Sequence, residues 1–266
     1  MGAYLISFDD TDNLETLGTG HLLARFLGTL SVETGYITRH QLFVDERVPF
    51  TSHNSAMCAT VDGDIDVGEL IARAGRFLER ERSEGSDPGL CIADMQAVAD
   101  AELLIEWGRR AKSEVLAKAD AYDLAQRCGV HLSEHGGDGQ GVVGALAAVG
   151  LRLSGNDGRV RGKAIIESVG TAQRMTGRTA QRTVQRTTQR TNKSTVQRMT
   201  VSELLERTGF DRVCELGCGV LSSDCEIELD GNEVKAVYLD FSRTVLAMLT
   251  EEGGYRLMGK QQLKQY

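Results

Sequence analysis

Proline is almost missing from this chain, at two residues in 266, against 30 glycines. Turns and close backbone approaches therefore fall to glycine. Aromatic residues make up only 5% of the sequence, so a core must be built from Leu, Val, Ile and Ala. No apolar run reaches the roughly 18 residues that a membrane-crossing helix needs. The first residues enter a strand-like pattern directly, with no basic stretch followed by an apolar one as in a secretory leader. These two features predict a cytoplasmic protein without membrane contact. The phosphate-loop pattern Gly-x-x-x-x-Gly-Lys-Ser/Thr is absent as well. Six cysteines, at 58, 91, 128, 214, 218 and 225, suit free thiols in a reducing compartment.

What the chain does have is an uneven charge. Between Arg159 and Arg198 lie ten Lys/Arg and one acid, Glu167, for a local charge of +9, while the rest of the chain sums to −17. Residues 171–199 repeat Thr-Ala-Gln-Arg, Thr-Val-Gln-Arg and Thr-Thr-Gln-Arg without large apolar residues. Such a segment cannot bury a core and is expected to be a solvated tether. Its charge would attract RNA or another anion. It contains no aromatic residue on which a base could stack.

The expected organisation is a domain over 1–165, a Thr/Gln/Arg linker over 166–200 and a small module over 201–266. Alternating strand and helix patterns predict an α/β first domain, a mixed sheet with flanking helices. Strands are expected at 2–8, 41–44, 56–61 and 90–92. Helices are expected at 19–29, 66–82, near 96–118, at 120–128, and after the glycines that begin at 136. The spacing of Val67, Leu70, Ile71, Ala74, Phe77 and Leu78 is that of an amphipathic helix. The module should hold a short helix from Val201, then strands at 225–229 and 234–239 joined as a hairpin through Asp230-Gly231-Asn232.

The richest stretch is Leu5-Ile6-Ser7-Phe8-Asp9-Asp10-Thr11-Asp12-Asn13. An apolar strand ends in three crowded carboxylates, which repel one another unless a cation or a shared proton compensates. Hard oxygen donors beside a phosphate suit Mg²⁺, so Asp9, Asp10 and Asp12 are candidate metal ligands. The plain alternative is an acidic turn whose side chains bond their own backbone. Just beyond, Gly18-Thr19-Gly20 precedes an apolar helix, where free N–H groups attract phosphate; ordinary capping by Thr19 is the alternative. A second glycine run contains Gly139-x-Gly141-x-x-Gly144. With no strand evident before it and no acidic residue well placed after it, it does not read as a dinucleotide site, but it could still cradle a phosphate. His21 and His135 each adjoin a glycine turn, while His53 and Asn54 fall in a polar loop between two strands, a usual place for substrate contacts and equally for solvent-facing residues. Cys214, Cys218 and Cys225 lack a fourth ligand at zinc spacing and are expected to pack apolarly.

In their order along the chain, five pieces resemble the N-terminal kinase-like domain of the archaeal tRNA(isoleucine) 2-agmatinylcytidine synthetases. They are Phe8-Asp9-Asp10-Thr11-Asp12-Asn13, the Gly-Thr turn at 18–20, Val48-Pro49-Phe50-Thr51-Ser52-His53-Asn54, Ser86-Asp87-Pro88-Gly89, and Gly139-Gln140-Gly141-Val142-Val143-Gly144 with the helix that follows. The resemblance covers about 60% of the chain. It implies an ATP-dependent enzyme of tRNA modification that transfers a phosphoryl group, with ATP and Mg²⁺ as cofactors and with tRNA and the amine agmatine as partners. It places the catalytic groups at Asp9, Asp10, Asp12 and Thr19, the threonine being self-phosphorylated. Nucleotide contacts would come from Thr11, Gly18, Gly20, Gly139, Gly141 and Gly144. No match to the family's agmatine-binding domain, oligonucleotide-binding barrel or zinc ribbon is evident downstream, so the ATP-dependent phosphoryl-transfer core is what carries over. Two further readings stay open. Asp10-Thr11-Asp12 after a strand is similar to the Asp-x-Asp of haloacid-dehalogenase-like aspartyl phosphatases, and a non-catalytic nucleotide- or RNA-binding regulator would share the same motifs.

Overall fold

The structure, a computed structural model, describes residues 2–13, 15–48, 54–166 and 196–266. His53 and the repetitive stretch 167–195 lie outside the described residues. The chain divides into two units. The first holds 1–162, 235–244 and 260–266; the second holds 163–234 and 245–259. The unit changes at 162/163, and two later segments belong to the first unit.

The first unit begins with strand β1 (Gly2–Asp9), helix α1 (Thr19–Leu27) and the short strands β2 (Glu33–Thr34) and β3 (Thr38–Gln41). Strand β4 (Ser55–Gly63), helix α2 (Val67–Glu81), strand β5 (Gly89–Asp94) and helices α3 (Ala101–Arg110) and α4 (Lys118–Cys128) follow. Strand β6 (His131–Glu134), helix α5 (Gly141–Leu153) and strand β7 (Arg159–Val160) complete that stretch. The strands lie in the order β6-β5-β1-β4-β3-β7, continued by Val237–Leu239 and then residues 242–244. Each of these neighbouring pairs is antiparallel.

Strand β1 is central and covered on both faces. Its alternation assigns the sides. Tyr4, Ile6 and Phe8 enter one core with Leu22, Leu23 and Phe26 of α1 and Leu70, Phe77 and Leu78 of α2. Leu5 enters the other core, with Leu104 and Trp107 of α3, Leu124 of α4 and the small-residue face of α5. By the same period of two, Asp9 is on the α5 side. The α2 helix follows the predicted spacing and is capped by Asp66, whose side chain accepts from the Glu69 N–H.

Glycine sets how closely α5 can approach. A Cβ on Gly141 would lie 2.6 Å from the Gly89 nitrogen, 3.0 Å from the Asp9 carbonyl oxygen and closer still to the Asp87 carbonyl. Those neighbours are backbone and cannot turn aside. At the other end, Gly108 of α3 leaves room for the Ala147 carbonyl, 2.9 Å from where its Cβ would be.

Several expectations are corrected. The strand expected at 41–44 lies at Thr38–Gln41. Its polar inward residues are tolerable because they are bonded: the Thr38 hydroxyl meets His40 Nε2 at 2.8 Å, and His40 Nδ1 meets Asp157 at 3.0 Å. The helical stretch expected near 96–118 is confined to Ala101–Arg110, begun by an Asp100 cap. A strand, β6, does precede the second glycine run; it is a polar edge strand antiparallel to β5, not the parallel strand of a dinucleotide fold.

The second unit contains Val196–Thr200, the helix Val201–Thr208, Arg212–Glu215, Glu226–Asp230, residues 245–249 and Tyr255–Leu257. Thr200 and Glu203 cap that helix reciprocally, and Gly209 ends it in the left-handed region at φ 67°. Strand Glu226–Asp230 pairs antiparallel with Val196–Thr200 and parallel with Tyr255–Leu257. Both its edges are thus taken. The expected Asp230–Asn232 hairpin does not form, and Glu233–Val234 pairs with Ala164–Ile165 instead. Cys218 is exposed, against the expected apolar packing, and Cys214 and Cys225 are half-buried. No described helix is long and apolar enough to cross a membrane.

Replacing Gly141 by Ala is expected to destabilise the protein by about 3 kcal/mol in urea unfolding, because the methyl meets immovable backbone. Gly219→Ala, where nothing lies within 4 Å, is the control and should change stability by less than about 0.5 kcal/mol.

Candidate functional site

Strand β1 ends at a cavity of about 390 Å³ in the first unit. Asp9, Asp10, Asp12 and Asp87 line it together with Thr19. Leu42, Phe43, Val48, Val115, Leu116 and Val143 supply apolar wall, and Arg47, Asn54, Ser55 and a fifth acid, Glu114, add polar groups. Gln140, Gly141 and Gly144 bring the start of α5 to the same wall.

Each aspartate is held differently. Asp9 is buried, and Gly144 leaves space for its carboxylate, which would collide with any Cβ there. Burial pushes its carboxyl well above the usual range, and the charge of Asp10 adds to that. The Asp10 backbone N–H opposes the shift. Asp10 sits in the left-handed region at φ 49°, which turns the chain sharply out of the strand. Its carboxyl is pushed up to about 6 by burial and then by the charges of Asp87 and Asp12. Asp12 Oδ1 accepts from the Thr19 N–H at 3.1 Å and from the Thr19 hydroxyl at 2.8 Å. It therefore caps α1 from seven residues upstream, where Gly18 has no side chain to do so. Thr11, itself buried, donates to the Thr19 hydroxyl oxygen at 3.2 Å.

Asp87 is the residue that sequence reasoning missed. The segment Ser86-Asp87-Pro88-Gly89 read as a turn. Its aspartate is fixed by the Asp138 N–H, which donates to Oδ1 at 2.6 Å. The available signal was an acid immediately before a strand that neighbours β1.

The glycines do different work from the one expected. The Gly141 N–H donates to the Asp87 carbonyl at 3.0 Å, Val142 N–H to Gly139 at 3.4 Å, and Val143 N–H to Gln140 at 3.1 Å. These amides are engaged within the protein, and Gly141 and Gly144 act by allowing close approach. Gly139 is left-handed at φ 70° and, like Thr11, Gly18 and Gly20, does not line the cavity. Gly20 lies beneath Arg161 and Met57. His135 meets Ser133 at 2.8 Å and packs on Gly75, away from the cavity lining, and His21 is exposed. Asn54 Nδ2 donates to the Phe43 carbonyl at 2.7 Å, holding the wall.

Among the described residues no three His, Cys, Asp or Glu side chains are grouped as a ready metal cage. Four aspartates lining one cavity, two of them pushed upward by burial and mutual repulsion, still suit a hard divalent ion that takes few protein ligands and completes its shell with phosphate oxygens. The start of α5 adds the positive end of a helix dipole beside them.

No protein-family model matches the chain. No curated protein matches it significantly. Similar solved structures include a tRNA fluorescent labeling enzyme, at 25% identity and TM-score 0.48 over 56% of this chain and 36% of that one. A complex of TiaS with an isoleucine tRNA and ATP matches at 23% identity and TM-score 0.49 over 62% and 38%. A complex of TiaS with the same tRNA, AMPCPP and agmatine matches at 22% identity and TM-score 0.47 over 63% and 40%. The apo form of TiaS is described as an agmatidine synthetase of that isoleucine tRNA, the enzyme whose family the sequence motifs resemble. The chain spans well under half the length of these solved chains.

The raised carboxyls make the acidic end a source of instability when ionised. Both hold protons more tightly folded than unfolded, so stability falls as pH rises from about 4 through about 6 and beyond. Asp10→Asn removes the charge and suits the left-handed backbone. In chelator it should raise stability at pH 8 by at most roughly 3 kcal/mol, with little change at pH 4. Thermal melts at the two pH values check this; equal shifts at both would contradict the electrostatic account.

Proposed function

We propose that the first unit is an ATP–Mg²⁺-dependent phosphoryl-transfer domain whose acceptor belongs to an RNA of the tRNA class. One observation carries the reading: Asp9, Asp10, Asp12 and Asp87 line one cavity together with an apolar group of Leu42, Phe43, Val48, Val115, Leu116 and Val143. Such a cavity has an end for metal and phosphates and a side for a base. Asp10, whose carboxyl is pushed up by burial and then by the charge of Asp87, would hold the ion with Asp87, and the buried Asp9 would lie behind them. Mg²⁺ bound there supplies charge neutralisation for the transferring group.

The protein's own groups set the rest. Asp12 Oδ1 accepts the Thr19 hydroxyl proton at 2.8 Å, the contact a base makes with its nucleophile. In self-modification, the Thr19 oxygen forms the new bond to the γ-phosphorus, the bond from that phosphorus to the bridging oxygen breaks, ADP leaves, and the proton passes to Asp12. Leu42, Phe43 and Val143 give the site an apolar wall, where a base would displace water. The agmatidine reaction implied by the sequence resemblance adds an amine as a further substrate. For the aspartyl-phosphatase reading, a lysine beside the phosphoryl group would be the favourable sign; none of the residues lining the cavity is a lysine.

Incubation with labelled ATP and Mg²⁺, with and without bulk tRNA and agmatine, followed by mass analysis of protein and RNA, tests this reading. Label is expected on Thr19 or on tRNA, and Asp10→Asn should lower transfer by on the order of 100-fold or more while the fold persists. A phospho-aspartate would favour the phosphatase. Binding of RNA without any turnover would favour the regulator.

A further inference from the structure

Among the described residues, three arginines stand together with no acid within ion-pair distance. Arg39 of β3 faces Arg159 of β7 directly across the antiparallel pair. Like charges in opposed positions repel. Burial and the charge of Arg159 push the Arg39 guanidinium down to about 10, and burial also pushes Arg159 down. Arg39 Nε donates to the Ser55 hydroxyl at 2.9 Å, whereas Arg159 Nε is buried with no hydrogen-bond partner. Arg161 lies over the first turn of α1: its Cδ and Nε are 3.3 Å from where a Cβ of Gly20 would stand. A cation at the positive end of a helix is again an unfavourable placement. Met57, opposite Arg39 in the β3–β4 register, reaches the same glycine, so the three arginines and the start of α1 share one side of the sheet. Among the described residues none of the three arginines is within ion-pair distance of a carboxylate.

An arrangement with two such unfavourable placements is stabilised by an anion. Guanidinium forks match phosphate oxygens in shape. None of the three arginines lines the acidic cavity, but Ser55, bonded by Arg39, and Thr19, next to Gly20, both do. A nucleotide seated in the cavity by its metal end has no need of this row. A strand that delivers its reacting nucleotide into the cavity passes beside it.

We propose that Arg39, Arg159 and Arg161 form a seat for the backbone phosphates of the RNA strand that enters the cavity. The assignment of RNA as the strand rests on the reading of that cavity as a phosphoryl-transfer site acting on RNA. The seat grips charge and shape and not base identity, so its affinity depends steeply on salt.

The test is fluorescence anisotropy of a short labelled oligouridine, without ATP, over a series of salt concentrations. The proteins are the full chain, Arg39→Gln, Arg159→Gln, Arg161→Gln, the triple variant, and a comparator with Arg178, Arg182 and Arg186 changed to Gln. Each single substitution in the seat should lower the log–log salt slope by about 0.7, and the triple variant should lose on the order of tenfold in affinity at low salt. Melting curves confirm folding; Arg161→Gln, at an exposed position, carries the test if the half-buried pair cannot be replaced. Unchanged slopes, or a loss confined to the comparator, would overturn the seat. Displacement of the oligonucleotide by micromolar inorganic triphosphate would assign the arginines to a nucleotide tail and overturn it as well. Self-phosphorylation from labelled ATP and Mg²⁺, which needs no RNA, is measured on the same arginine variants, so failure of phosphoryl transfer and failure of the seat are read separately.

Discussion

The crossing of backbone at Gly89 and Gly141 is the constraint on which the first unit depends. It lets the start of α5 touch the ends of β1 and β5 with no side chain between. Gly144, one turn on, leaves the space that the Asp9 carboxylate fills. The acids are thereby kept near a helix N-terminus and partly out of water. Their raised carboxyls follow from that enclosure and from their crowding. Packing, electrostatics and the proposed chemistry share one geometric cause.

Much of the first unit was legible because its signals are periodic or abrupt. Strand β1 is an apolar run stopped by charge. Helix α2 shows its buried stripe at Leu70, Ala74, Phe77 and Leu78. Strands β3 and β6 were illegible or misplaced because their residues are polar. Thr38 and His40 are buried nonetheless, since the Asp157 and Lys112 side chains complete a bonded network around them. That network joins residues far apart in the chain, and no local pattern announces it. The hairpin expected around Gly231 failed for a similar reason: a turn signal tells where a chain can reverse, not which edges are already occupied.

At the site, the sequence pointed to Asp9, Asp10, Asp12 and Thr19, and the structure brings all four to one cavity. The link between Asp12 and Thr19 had no local signal, because the ordinary capping position directly before the helix is Gly18. Asp87 was hidden by distance along the chain. The glycine loops were read as donors to phosphate, whereas three amides near Gly141 are engaged by carbonyls of 87, 139 and 140. Glycine permits both uses, and only the bonded partners tell them apart.

Asp10 has a left-handed backbone at φ 49°. Few side chains accept that conformation cheaply: glycine, asparagine and aspartate lead the short roster. Of those three only aspartate carries a negative charge. Main-chain shape thus narrows the choice at this position before any reaction does, and drift there has almost nowhere to go.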